Sequence, residues 1–189
     1  VRWKMAKEER NYTNNFKKLN TLMYIIMVLL LMLIVLGFVN ACSKEEKSEY
    51  DVSMMREVGI RDVLEMFEDN KTYVLYIGRE TCDICYDLLP TLQQAQIDHN
   101  YITQYLDISK VDRSSDNWKE LKDLLIKEVT TTIDEDGKGE EVTDTFGNFI
   151  DEYGFTPCTI IIKDGKQAGG FFGSYSLQAF ENWLDNYGI

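Results

Sequence analysis

A chain of 189 residues, 44% hydrophobic and 28% charged, has the balance of a globular domain with room for a real core. Its formal charge of -12 is unevenly spread: residues 1–20 hold six Lys/Arg against two Asp/Glu, a net of +4, so the remaining residues carry -16. So acidic a body argues against nucleic acid, whose phosphates would repel it. Four unevenly spaced cysteines (Cys42, Cys82, Cys85 and Cys158) exclude a disulfide-stapled miniprotein.

The chain opens with a basic leader. Lys17 and Lys18 precede Leu22 to Val39, which is almost wholly apolar and uncharged. As a helix this run spans about 27 Å, close to the hydrocarbon thickness of a bilayer. The positive-inside bias then leaves everything after residue 40 outside the cytoplasm. Two anchored forms fit. Val39-Asn40-Ala41-Cys42 resembles a bacterial lipobox, with Cys42 the lipidated residue; Asn40 departs from the usual small residue. The alternative is an uncleaved transmembrane helix. Either form puts the body where disulfides persist. Residues 1–42 are therefore read as signal or membrane anchor, 43–53 as a polar tether, and 54–189 as the exported domain.

Within the domain, Ile60, Val63, Leu64 and Phe67 recur at helical spacing, which predicts a helix from about Met54 to Glu68. Asp69-Asn70-Lys71 breaks it, and the β-branched and aromatic run Thr72 to Ile77 predicts a buried strand. After a turn at Gly78 to Thr81, Cys85, Leu88, Leu89 and Leu92 predict a helix from about Cys82 to Asp98, with Pro90 inside it. Tyr101 to Ile108 reads as a second strand. Ser114 or Ser115 can cap a helix carrying Trp118, Leu121, Leu125 and Val129 on one side. Thr130 to Asp144 holds six acids, one lysine and two glycines, and reads as a solvated acidic loop inserted around residues 130–144. A short helix is expected near Phe146 to Tyr153. Thr159 to Lys163, the turn Asp164-Gly165 and Lys166 to Phe172 form a hairpin, and Leu177, Phe180, Trp183, Leu184 and Tyr187 mark a closing helix. A strand–helix–strand unit followed by a hairpin and a helix gives an α/β fold, a mixed sheet flanked by helices.

The chemistry concentrates at Cys82-Asp83-Ile84-Cys85, where a strand ends and a helix begins. Helix N-terminal amides and the macrodipole stabilise negative charge, and the thiolate is the species that attacks a disulfide. Cys82, the more exposed, would form a mixed disulfide, and Cys85 would resolve it. Asp83 opposes the thiolate by its own charge. Half of a zinc site and a purely structural disulfide are the competing readings. Structural zinc normally takes four protein ligands, and His99 is the one histidine; so short a loop constrains the unfolded chain little.

The pattern resembles the thioredoxin fold from about Met54 onward, interrupted at Lys110 to Asp144. Pro90 falls five residues after the second cysteine, as the family's kinking proline does. Thr156-Pro157 precedes a strand, where the family places a cis-proline facing the redox pair. The Lys163-Asp164-Gly165-Lys166 hairpin, Gly173 and the closing helix follow in order. The resemblance implies that Thr156 and Pro157 form the substrate-binding edge, where an extended segment adds as a strand. It departs at Tyr76, where thioredoxins bury an Asp, and at Thr81, where they carry Trp. Glu80 is a candidate proton shuttle or a solvated turn carboxylate. Cys158 is a small buried hydrophobe or a third redox thiol. Tyr76-Ile77-Gly78-Arg79-Glu80-Thr81-Cys82, followed by Leu89-Pro90, resembles more closely the bacteriocin transport accessory proteins of Gram-positive bacteria.

These readings combine into one expectation: an extracytoplasmic thiol–disulfide oxidoreductase acting on exported cysteine-containing peptides or proteins. It would need no dissociable cofactor or metal, and an unidentified redox partner would reset it. The alternatives are a non-catalytic binding protein of a secretion complex, whose acidic body attracts cationic peptides, and a metal-binding protein using Cys82, Cys85 and Cys158.

Overall fold

The computed structural model describes residues 21–32, 50–133 and 139–189. The chain divides into two compact units, Val1–Lys47 and Ser48–Ile189. In the first, residues 21–32 form helix α1, whose apolar side chains from Leu22 to Met32 are exposed. The rest of the apolar run, and Cys42 with it, lie outside the described residues. Among the described residues no helix is long and apolar enough to cross a membrane.

The second unit is built on a five-stranded sheet in the order β1-β3-β2-β6-β7. Its strands are β1 (Arg56–Glu57), β2 (Thr72–Gly78), β3 (Thr103–Asp107), β6 (Cys158–Lys163) and β7 (Lys166–Phe172). β1, β3 and β2 run parallel; β6 and β7 are antiparallel additions. β2 and β6 are apolar at nearly every position because the sheet is covered on both faces. Alternation along the strands divides the core. Leu75, Ile77, Ile160 and Ile162 face α2 (Ile60–Glu68), α4 (Asp116–Leu124) and α5 (Phe146–Glu152). Val74, Tyr76 and Ile161 face α3 (Asp83–His99) and α6 (Leu177–Asp185). This is the expected thioredoxin-like mixed sheet. The tight β6–β7 turn holds Asp164 and Gly165 at φ 52° and 70°, and a Cβ on Gly165 would stand 2.7 Å from the Phe67 carbonyl oxygen.

Three elements differ from expectation. The first domain helix starts at Ile60 rather than near Met54. Gly59 caps it, its N–H donating to Asp62 Oδ2 at 2.7 Å, and the residues before it are drawn into the sheet as β1. α4 stops at Leu124, so Val129 is not on it. The described parts of the stretch read as an acidic loop form a two-stranded antiparallel ribbon, β4 (Glu128–Ile133) with β5 (Glu140–Thr145), tied across by the Thr130 and Thr143 hydroxyls at 2.8 Å, while residues 134–138 lie outside the described residues. Its β-branched residues (Val129, Thr130, Thr131, Thr132, Ile133, Val142 and Thr143) prefer the pleated conformation, whatever the charge of their neighbours.

Candidate active site

β2, the central strand, ends at Gly78. The turn that follows is closed by the Cys82 N–H, which donates to the Arg79 carbonyl at 3.2 Å. Cys82 then caps α3: it is extended (φ -109°, ψ 109°), and its sulfur accepts from the Cys85 N–H at 3.2 Å. An N–H aimed at sulfur from a helix start favours negative charge on that sulfur. The two sulfurs are bonded, across a Cα–Cα distance of 5.2 Å. Cys82 is buried but keeps 8% of its surface exposed and Cys85 none, so Cys82 is the member of the pair nearer to solvent. Ile84, between them, is half exposed.

The opposing wall is the chain entering β6. The Thr156–Pro157 peptide is cis, and the Thr156 carbonyl oxygen lies 3.3 Å from Cys82 Sγ. Pro157 is buried, its carbonyl accepting from the Gly173 N–H at 3.0 Å. Thr156 is only partly buried, and its N–H has no partner among the described residues. An unpaired main-chain N–H therefore lies at the residue whose carbonyl stands against the Cys82 sulfur. Phe155, just before it, stacks on Phe149 with ring centroids 5.4 Å apart, which anchors this segment to α5.

The remaining candidates are not brought to the pair. Glu80 is exposed in the turn, and its side chain has no hydrogen bond or ion pair among the described residues. Cys158 is fully buried in the layer formed with α2, α4 and α5, across the sheet from α3, and burial pushes its thiol well above the usual range. The three thiols thus do not converge. Among the described residues no group of three or more His, Cys, Asp or Glu is arranged to hold a metal. Cys42 lies outside the described residues.

Tyr76, the residue singled out in the sequence as standing where thioredoxins bury an Asp, belongs to a tyrosine cluster that the sequence pattern does not reveal. Tyr76 is wholly buried, and its hydroxyl meets that of Tyr50 at 3.0 Å. Tyr105 stacks on Tyr76 (5.4 Å), and Tyr86, next to Cys85, packs on Tyr50 (5.2 Å). Burial raises the ionisation of Tyr76 and Tyr50 far above neutrality, so both stay protonated.

No family model matches the chain, and no curated protein matches it. Among solved structures it is similar to mitochondrial thioredoxin 3 from Saccharomyces cerevisiae in its oxidized form, with 16% identity and TM-score 0.46, covering 74% of this chain and 99% of that one. It is also similar to a thioredoxin mutant from Halobacterium salinarum, with 14% identity, TM-score 0.45 and coverage of 71% and 90%. A third similar structure is the thioredoxin of Aeropyrum pernix, with 12% identity, TM-score 0.43 and coverage of 69% and 84%.

Proposed function

We propose that this protein is a thiol–disulfide oxidoreductase acting outside the cytoplasm on exported cysteine-containing peptides or proteins. The observation that carries the reading is the bonded Cys82–Cys85 pair at the cap of α3, with the Cys82 sulfur beside the Thr156 backbone. In the reducing direction, the Cys82 thiolate attacks a substrate disulfide and forms a mixed disulfide, releasing one substrate thiolate. Cys85 then attacks Cys82 Sγ, releasing the second thiol and closing the Cys82–Cys85 bond. Two electrons pass to the substrate and two protons make up the thiols. The oxidising direction is the same path reversed. The pair itself carries the electrons, so the reaction needs no dissociable cofactor, and a second redox protein must restore the starting state.

An extended substrate segment would pair with the Thr156 main chain as an added strand, which holds its sulfur near Cys82. The basic leader and apolar run support anchorage at the membrane, with lipidation at Cys42 or an uncleaved helix as the two forms. The segment from Tyr76 to Cys82 supports a finer reading, a helper of bacteriocin export. A non-catalytic binding role is favoured by one observation, the ribbon carrying exposed Glu128, Glu140 and Glu141, which suits a cationic peptide. An insulin-reduction or peptide-oxidation assay on the full chain in detergent separates the two. Cys82→Ser abolishes turnover if the protein is an enzyme; equal activity in both proteins rejects the enzyme.

A further inference from the structure

The segment that enters the domain is fastened along the redox helix. Gln93 Nε2 donates to the Asp51 carbonyl at 2.8 Å and Gln96 Nε2 to the Met54 carbonyl at 2.7 Å, both from α3. At the head of this segment, the Tyr50 ring packs on Tyr86, the residue after Cys85, and at 6.1 Å on Tyr105 of β3. Its hydroxyl meets Tyr76 of β2. Both hydroxyls lie over Gly78, the last residue of β2: a Cβ there would collide with the Tyr76 hydroxyl and stand 2.9 Å from that of Tyr50. Tyr50 thus touches the strand leading into the Cys82 turn and the first turn of α3 that holds Cys85.

From this geometry we infer that Tyr50 is a positioning residue for the redox pair. Its ring wedges between β3 and Tyr86 and holds the first turn of α3 in the shape that keeps the two sulfurs together. This rests on the oxidoreductase reading above and extends it to a residue outside the cysteine loop. Tyr50 does not touch the sulfurs; it acts through the ring of Tyr86. With the ring gone, the two thiols of the reduced protein meet less often, and the closed disulfide is less favoured. The ring contact carries the effect, so Tyr50→Phe preserves it.

The test is the equilibrium of the full chain in detergent with glutathione. Two glutathione thiols reduce Cys82–Cys85 to the dithiol and become glutathione disulfide, so atoms and electrons balance. The oxidised fraction is read by alkylation and mass at several buffer ratios. Tyr50→Ala should lower the constant for forming the Cys82–Cys85 disulfide by about 2- to 10-fold, the worth of one aromatic pair, and Tyr50→Phe should leave it at the wild-type value. Tyr86→Leu should reproduce Tyr50→Ala, and the double variant should add nothing to either single change. Should Tyr50→Ala fail to fold, Tyr86→Leu decides alone. A residue with a merely structural role would lower the unfolding midpoint and leave the glutathione constant unmoved, and that result overturns the inference. A wild-type pair that never equilibrates with glutathione overturns the oxidoreductase reading instead.

Discussion

Reduction of Cys82–Cys85 distinguishes a working redox pair from a structural staple. The bond closes a loop between cysteines only three positions apart. The loop-closure entropy of so short a ring is worth about 2 kcal/mol in the chain-entropy model. The rest of the unit does not depend on it: both core layers, from Trp118 and Leu121 on one side to Leu88, Leu92 and Phe180 on the other, are assembled from residues remote in sequence. Domain stabilities run at about 5–15 kcal/mol, so the reduced protein keeps most of its own. The expected change in melting temperature on adding dithiothreitol is a fall of about 5–10 °C, with one cooperative transition in both states. Differential scanning calorimetry and urea denaturation of oxidised and reduced protein measure it. Loss of the cooperative transition on reduction, or a drop beyond about 5 kcal/mol, would show that the bond holds the fold and would refute the reasoning.

Cys158 belongs to the core, so Cys158→Ser, which buries an unpaired hydroxyl, should cost about 1–3 kcal/mol in urea denaturation while disulfide exchange stays at the wild-type rate. Its folded thiol is held above the unfolded value, so its linkage term is fully present below about pH 8.5 and is lost as pH rises beyond it; Cys158→Ala should flatten that alkaline decline. Gly78→Ala places a methyl group on the Tyr76 and Tyr50 hydroxyls and should destabilise the fold by about 1–3 kcal/mol, read as a lower urea midpoint at unchanged slope. Burial opposes the charge on Asp151, but Lys122 Nζ at 3.0 Å and Trp118 Nε1 at 2.9 Å outweigh it and hold the carboxyl below its usual range. That contribution, about 1 kcal/mol for a partly exposed pair, is present above the unfolded carboxyl value and is lost as pH falls; Asp151→Asn should make unfolding less sensitive to acid between pH 5 and 3 by about that amount.

The parts of the fold legible in the sequence are those written in residues with one structural use. Asp164-Gly165 announced its hairpin because both positions need positive φ. Ser115, one of two serines offered as a cap, accepts from the Trp118 N–H. Cys-x-x-Cys after an apolar strand placed the sulfurs at a helix start, and Thr156-Pro157 before β6 faced them from the other wall. The ribbon is not legible where charge is weighed above branching: Asp134, Glu135, Asp136, Glu140, Glu141 and Asp144 suggest a loop, while the β-branched runs Val129 to Ile133 and Val142-Thr143 favour strands. Tyr50 was missed for another reason. It falls inside the run 43–53 read as a polar tether, and its contacts with Tyr76, Tyr86 and Tyr105 join that segment to three elements, β2, α3 and β3, so no local period reveals them.

The central claim is that the Cys82 sulfur trades bonds with a visiting chain. Cys85→Ser removes the resolving thiol and leaves Cys82 beside the Thr156 edge, so incubating this variant with a disulfide-containing peptide should arrest exchange at a one-to-one covalent adduct. Peptide mapping should place that adduct on Cys82, and dithiothreitol should release it. No adduct at Cys82, or one formed equally well by Cys82→Ser, would contradict the account.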